Sequence, residues 1–190
     1  MRELGAFGSG LLLLVLLSTS CAQRADSQQV HGLAGPSRAP ATVPVASAIP
    51  SDVVCQWARV RSITDGDTIR VDFEDGRSNL PVRYIGMDTP ETKKPGTPVQ
   101  PFGPEAAQDN ERLVAGQRLC LERDVSETDR YGRLLRVVWR QDGIMVNEQL
   151  VLDGVAVLDT FPPDVKYVDR FVAAQASARE RGVGLWATTP

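Results

Sequence analysis

The chain has 190 residues, enough for one ordinary domain with additional segments. Its formal net charge of −3 argues against a protein that coats nucleic acid, because such proteins neutralise phosphates with a large excess of positive charge. The single histidine, His31, lies in a segment of linker composition, so the folded domain has no imidazole for a Ser-His-Asp triad or a zinc site.

The first 20 residues predict an export signal, with a positive charge at Arg2 and an apolar run over residues 11–17. This run is too short for a permanent membrane-spanning helix. Cys21 follows small residues, which indicates a bacterial lipoprotein that is cut before Cys21 and carries lipid on its thiol. The alternative is ordinary secretion with cleavage near Ala22. A cytoplasmic protein fits the apolar start least well.

Residues 21–52 have the composition of a flexible tether. They are rich in Ala, Ser, Pro, Gly and Gln and have almost no aromatic or periodic apolar content. Such a segment buries too little apolar surface to offset the entropy that is lost on ordering. A tether of roughly 30 residues spans about 30 Å root-mean-square. That span is enough to hold a folded domain, predicted for residues 53–190, away from a membrane.

The domain is predicted to begin with three strands, at residues 55–64, 68–73 and 80–85. A turn at residues 74–77 joins the second strand to the third. After a proline-rich loop, the pattern predicts three helices and two more strands. In chain order these are a helix that opens at 103 and is ended by Gly116, strands at 118–123 and 134–140, and helices at 146–153 and 165–181.

Three short motifs lie between these elements. They are DGDT at residues 65–68, an arginine at 83 followed by DTPE at 88–91, and DRYGR at 129–133. Each motif alone is weak, since Asp, Gly and Pro are ordinary turn residues. In this order and with these intervals, the motifs resemble the thermonuclease (staphylococcal nuclease) family over roughly residues 55–186. The resemblance implies an α+β fold, in which a five-stranded OB-fold β-barrel is packed by three helices.

The resemblance also implies a calcium site with oxygen ligands. Asp67 and Asp88 would bind Ca²⁺ through their carboxylates, and Thr89 through its backbone carbonyl. With water ligands this makes a weak, open site. The alternative for Asp67 is a metal-free turn, and for Asp88 a capping residue.

Phosphodiester hydrolysis puts negative charge on a five-coordinate phosphorus, so a catalyst needs cations and a group that positions or deprotonates water. By resemblance, Arg83 and Arg133 clamp the phosphate, while Glu91 is the general base or orients the attacking water. Arg130 and Tyr131 match positions that contact the phosphate of the substrate. Without the motifs, Glu91 is a surface glutamate and the arginines are partners in surface ion pairs.

The loop at residues 158–163 corresponds to a region where the staphylococcal enzyme has tyrosines. Here Phe161 is the only aromatic residue, and Asp159 and Thr160 precede it. Because stacking contributes about 1–3 kcal/mol per base, we expect weaker stacking in this chain. We also expect Asp159 to repel phosphate.

Cys55 and Cys120 remain as an even pair once Cys21 is lipidated or removed. An even pair in an exported domain predicts a disulfide. The resemblance places the first and fourth strands, on which the two cysteines lie, side by side. Two buried free thiols are the alternative.

The sequence therefore predicts an exported, calcium-dependent endonuclease, located at the bacterial cell surface as a lipoprotein or secreted. It is expected to be a monomer that hydrolyses single-stranded or frayed DNA and RNA with little sequence preference and leaves 3′-phosphates. The alternative is a non-catalytic OB-fold module that binds nucleic acid or protein at the cell surface. A structural lipoprotein with a vestigial site is a third possibility. The presence of every matched Arg, Asp and Glu favours the enzyme.

Overall fold

The computed structural model describes residues 48–92, 96 and 98–187. The predicted export signal, the predicted lipidation site at Cys21, and most of the predicted tether lie outside the described residues. Within the described part, no helix is both long and apolar enough to cross a membrane.

The described residues form seven strands, three α-helices and a short 3-10 helix. In chain order they are β1 (Gln56–Ile63), β2 (Thr68–Phe73), β3 (Leu80–Tyr84), β4 (Gly86–Asp88), α1 (Gly103–Val114), β5 (Arg118–Glu122), β6 (Leu134–Arg140), α2 (Val146–Leu152), β7 (Val157–Asp159), α3 (Val168–Arg181) and the 3-10 helix (Gly184–Trp186). Five strands and three helices match the prediction within a few residues at each end. β4 and β7 are additional.

Five of the strands close into a barrel in the order β1-β2-β3-β6-β5. Neighbouring strands are antiparallel except β3 and β6, which run parallel with Val82 opposite Leu134. Apolar side chains from the strands fill the core, and Ile69, Val71 and Leu121 have no exposed surface. This is the five-stranded OB-fold barrel with three helices, so the predicted α+β fold is confirmed.

The two additional strands, β4 and β7, pair outside the barrel, with Gly86 opposite Asp159 and Asp88 opposite Val157. The chain bends out of the barrel at Gly86, where φ is +84° and an added Cβ would overlap the ring of Phe171 on α3. Only glycine fits this backbone and this close approach. The bend therefore separates the Asp88 segment from the barrel strand that precedes it.

Helix α2 is fastened to the barrel by the buried side chain of Asn147. Its Oδ1 accepts a hydrogen bond from the Val138 N–H at 2.9 Å, and its Nδ2 donates to the Ile85 carbonyl at 2.9 Å. Ile85 is the last residue before β4. These hydrogen bonds therefore help to fix the point at which β4 leaves the barrel.

A disulfide joins Cys55, just before β1, to Cys120 on β5. The two strands are neighbours in the barrel, with Trp57 opposite Cys120. Ile49 and Val53 pack against the apolar cluster that contains Cys120. Within the described residues, the segment from Ile49 to Val53, which precedes the predicted domain start, is therefore also packed against the barrel.

The disulfide generates a prediction for stability. Replacing Cys55 and Cys120 together by alanine is expected to lower the free energy of unfolding by about 2–4 kcal/mol, because the crosslink restricts the unfolded chain. Urea unfolding of the parent protein and the variant measures the difference. Dithiothreitol should destabilise the parent by a similar amount and leave the variant unchanged. Rapid labelling of both thiols in the native, unreduced protein would contradict the bond.

A second prediction concerns Asn147. Asn147→Ala leaves the buried Val138 N–H and Ile85 carbonyl without partners, and each unpaired group costs about 1–3 kcal/mol. We expect the free energy of unfolding to fall by at least about 2 kcal/mol in urea titrations. Gln149→Ala on the same helix, where the side chain is only partly buried, is the control and is expected to cost less than about 1 kcal/mol. Equal losses of unfolding free energy in the two variants would contradict the proposed contribution of the Asn147 hydrogen bonds.

Candidate active site

The turn between β1 and β2 packs against two other parts of the chain. A Cβ on Gly66 would lie 2.7 Å from Cβ of Ala106 on α1 and 2.8 Å from Cγ2 of Thr89, so glycine is required for this close approach. Within the turn, the Asp67 N–H donates to Oδ1 of Asp65 at 3.2 Å. The DGDT segment thereby brings Asp67 against the segment that follows β4.

The Asp67 carboxylate is buried and accepts hydrogen bonds on both oxygens. Oδ1 accepts from the Thr68 hydroxyl at 2.8 Å, and Oδ2 accepts from the backbone N–H and the hydroxyl of Thr89 at 3.2 and 3.0 Å. Oδ2 also forms an ion pair with Nη1 of Arg83. Burial acts to raise the pKa of Asp67, but the Arg83 charge and hydrogen bonds from Asp65, Thr68 and Thr89 outweigh it and hold the pKa below its ordinary value. Asp67 is therefore a charged carboxylate whose position is fixed by its partners.

Arg83 lies between the two carboxylates that the sequence predicts as metal ligands. Its Nη1 pairs with Asp67, and its Nη2 donates to Oδ1 of Asp88 at 2.6 Å. The Arg83 side chain is 15% exposed, whereas that of Asp88 is 50% exposed. The described residues give no hydrogen bond to Oδ2 of Asp88, and half of this side chain is accessible to solvent.

Negative charge exceeds positive charge around Arg83. Burial and then the Asp67 charge raise the pKa of Asp65 to about 7. Burial also raises the pKa of Asp88, with Arg83 opposing the change and the charges of Asp67 and Asp159 adding to it. Burial is the larger cause of both rises, and the charges of the neighbouring carboxylates add to it. Because Asp67 and Asp88 share the single guanidinium of Arg83, a bound cation would relieve the remaining negative charge.

The DRYGR loop between β5 and β6 is organised by the carboxylate of Asp129. Oδ1 accepts from the backbone N–H groups of Tyr131 and Arg133 at 2.8 and 3.0 Å, and Oδ2 accepts from Nε of Arg133 at 2.7 Å. Nη1 of Arg133 then reaches the Thr68 hydroxyl at 3.5 Å. We call Asp67 and its partners Thr68, Arg83 and Thr89 the Asp67 cluster. Because the Thr68 hydroxyl donates to Asp67, Arg133 is linked to this cluster.

An open cleft of about 600 Å³ adjoins this cluster. Its polar and aromatic lining includes Arg83, Asp129, Arg130, Tyr131, Arg133, Asp159, Phe161 and Asp164. Tyr131 and Phe161 are 67% and 70% exposed, and Nη2 of Arg130 donates to the Tyr131 hydroxyl at 2.7 Å. The structure thus brings to one cleft all four residues that are predicted to contact phosphate, namely Arg83, Arg130, Tyr131 and Arg133.

Glu91 lies three residues after Asp88, where the chain has left β4. Its backbone is fixed by Gln100, whose N–H donates to the Glu91 carbonyl at 2.9 Å and whose side-chain Oε1 accepts from the Glu91 N–H at 2.8 Å. The Glu91 carboxylate makes no hydrogen bond or ion pair with the described residues. Unlike the two arginines, Glu91 therefore has no direct bond to the Asp67 cluster.

Two buried residues that the sequence analysis did not single out support the DGDT turn. The Tyr84 hydroxyl donates to Oδ1 of Asn110 at 2.8 Å, and Nδ2 of Asn110 donates to the Asp65 carbonyl at 3.0 Å. Burial raises the pKa of Tyr84 well above its ordinary value, so the hydroxyl stays protonated and available as a donor. The one signal in the sequence was a polar residue, Asn110, on the apolar face of a predicted helix.

The comparisons with known proteins agree with this architecture. The family model described as "Staphylococcal nuclease homologue" matches residues 81–188. A thermonuclease of Staphylococcus hyicus is 44% identical over 131 residues, which cover 69% of this chain and 76% of that protein. A thermonuclease of Staphylococcus intermedius is 42% identical over 136 residues, covering 72% and 79%. Endonuclease YncB of Bacillus subtilis is 42% identical over 124 residues, covering 64% and 57%.

The family model spans more than half of the chain and includes β3, β4, the DRYGR loop and all three helices. The closed five-stranded barrel is the fold that the three motifs imply. From the matched model, the similar thermonucleases and the fold together, this chain belongs to the staphylococcal nuclease family.

Proposed function

We propose that this protein is a nuclease that hydrolyses phosphodiester bonds of DNA and RNA with little overall sequence preference. The observation that carries the proposal is the convergence of Arg83 and Arg133 on the Asp67 cluster beside an open cleft. Guanidinium groups offer paired N–H donors and a permanent charge, which suit phosphate oxygens. The relatives named thermonuclease and endonuclease support the same reaction class.

The proposed cofactor is Ca²⁺, held by the carboxylates of Asp67 and Asp88 and the backbone carbonyl of Thr89. These donors are all oxygen atoms, which calcium prefers, and two carboxylates that share the single guanidinium of Arg83 favour a further cation. The described residues contain no group of three or more His, Cys, Asp or Glu side chains that could hold a metal. The carbonyl and water molecules must therefore complete the coordination. When bound, Ca²⁺ supplies positive charge near the phosphate.

The remaining roles in the proposed reaction, phosphate binding and activation of water, belong to side chains of this protein. Arg83 and Arg133 bind the phosphate and stabilise the charge that develops on the five-coordinate phosphorus. Glu91 orients the attacking water or accepts its proton, since its carboxylate has no partner among the described residues. The bond from phosphorus to the 5′-oxygen breaks, the 5′-oxygen takes a proton from solvent, and the phosphate remains on the 3′-oxygen. Arg130 and Tyr131 contact the substrate from the same cleft.

We propose that the protein acts as a monomer outside the cytoplasm. The disulfide between Cys55 and Cys120 supports export, because such bonds persist in oxidising compartments. The sequence also favours a lipid on Cys21, which would hold the protein at the bacterial cell surface. Its substrates there would be single-stranded or frayed DNA and RNA.

The requirement for metal provides the first test of function. Cleavage of single-stranded DNA by the purified protein is expected with added Ca²⁺ and is expected to stop when a chelator removes it. The products should carry 3′-phosphates, so a polymerase extends them only after phosphatase treatment. Cleavage that continues in the chelator contradicts the cofactor. A folded protein that never cleaves, across a range of calcium concentration and pH, supports the non-catalytic binding module instead.

The role of Glu91 can be tested separately. Glu91→Gln is expected to lower kcat by at least about 100-fold, because the amide cannot accept a proton from water. The free energy of unfolding should change little, since the described residues make no bond to this carboxylate. Glu105→Gln, an exposed change in the first turn of α1, is the matched control and should keep normal turnover. Near-normal cleavage by a folded Glu91→Gln protein would exclude the proposed role.

A further inference from the structure

Three carboxylates line the cleft, and two of them have structural tasks. Asp129 uses both oxygens within the DRYGR loop. Oδ1 of Asp164 accepts from the backbone N–H groups of Val125 and Ser126 at 3.0 and 2.8 Å. The third carboxylate, Asp159, has neither a hydrogen bond nor an ion pair from the described residues. A half-buried carboxylate in a cleft without a protein donor is unexplained by the fold.

The position of Asp159 is fixed by backbone pairing. It ends β7, opposite Gly86 and two register positions from the pair formed by Asp88 and Val157. It therefore lies close to the cluster that is proposed to bind phosphate. A second phosphate group beside it would be repelled, so the group that occupies this part of the cleft should be neutral and should carry hydrogen-bond donors.

The same cleft offers aromatic surface for such a group. Tyr131 and Phe161 both line it and are mostly exposed. The loops that carry them are tied together, because Asp164 binds the backbone beyond β5 and Asp124 accepts from the Lys166 N–H at 2.9 Å. Base stacking on an aromatic ring contributes about 1–3 kcal/mol per base. The cleft therefore combines aromatic surface with one unpaired acceptor.

The four bases differ in what they can offer a carboxylate. Guanine presents two donors side by side, its N1–H and its exocyclic amino group, which match the two oxygens of a carboxylate. Thymine and uracil present one N–H flanked by two carbonyl oxygens, which a carboxylate repels. Adenine and cytosine present an amino group next to an acceptor nitrogen. Only guanine pairs with both carboxylate oxygens at once.

From this combination we infer that Asp159 is a specificity residue that favours guanine at the nucleotide whose base occupies the cleft. The inference rests on the proposed function and refines it at one base position. A bidentate pair with a base typically discriminates by about 1–3 kcal/mol. At the lower part of this range, about 1.4 kcal/mol, the preference for guanine over thymine is about tenfold.

The test is a binding measurement that does not depend on turnover. Isothermal titration of the full-length protein with deoxyguanosine and thymidine 5′-monophosphates, in the presence of Ca²⁺, is expected to show about tenfold tighter binding of the guanine nucleotide. Asp159→Asn is expected to remove this difference, because the amide offers one acceptor and places a donor beside it. Asp142→Asn, which removes the same charge at an exposed turn between β6 and α2, should preserve the preference.

The possible results separate the inference from the proposed function. Equal binding of the two nucleotides by the parent protein overturns the inference, as does a preference that survives in Asp159→Asn. Equal tightening of both nucleotides in Asp159→Asn also overturns it, because Asp159 would then only repel phosphate. Guanine preference without any DNA cleavage would support Asp159 as a specificity residue and contradict the proposed nuclease activity. Cleavage without guanine preference would support the nuclease activity and contradict the role of Asp159.

Discussion

The burial of the Asp67 carboxylate is the constraint on which the site depends. A buried charge is costly unless it is paired and hydrogen bonded, and the partners of Asp67 come from three different parts of the chain. Thr68 begins β2, Arg83 belongs to β3, and Thr89 follows β4. These segments can meet only when the barrel is closed and the chain has bent out of it after β3. The hydrogen bonds and the ion pair of this one carboxylate therefore bring together the arginine that is proposed to bind phosphate and the predicted metal ligands.

Much of the fold could be predicted because its signals are local. The alternation in β2, the glycines that follow the helices and the order of the three motifs all appear in short windows of sequence. The β4–β7 sheet could not be predicted, because three-residue strands have no measurable period. That sheet depends on the bend at Gly86, where the backbone packs against the ring of Phe171, which lies 85 positions later in the sequence.

At the site, too, the local features could be predicted and the contacts between distant segments could not. The motifs identified Asp67, Arg83, Asp88 and Arg133, which the structure joins through direct contacts or through the Thr68 hydroxyl. They did not indicate that Arg83 pairs with both carboxylates. The buried link from Tyr84 through Asn110 to Asp65 was also not predictable, because it joins residues 26 and 45 positions apart. Such contacts depend on which strand and helix pack together, and a local pattern does not contain that information.

The double pairing of Arg83 has a consequence for the proposed reaction. Its guanidinium pairs with both Asp67 and Asp88, the two carboxylates that are proposed to hold Ca²⁺. A cation on these carboxylates would weaken their hold on Arg83 and release its donors for phosphate. A phosphate on Arg83 would in turn leave the carboxylates with more uncompensated charge and a greater affinity for the cation. By thermodynamic linkage each ligand would then strengthen the binding of the other to the same extent. Under this proposal an acidic site would bind an acidic substrate because the cation and the phosphate would be taken up together.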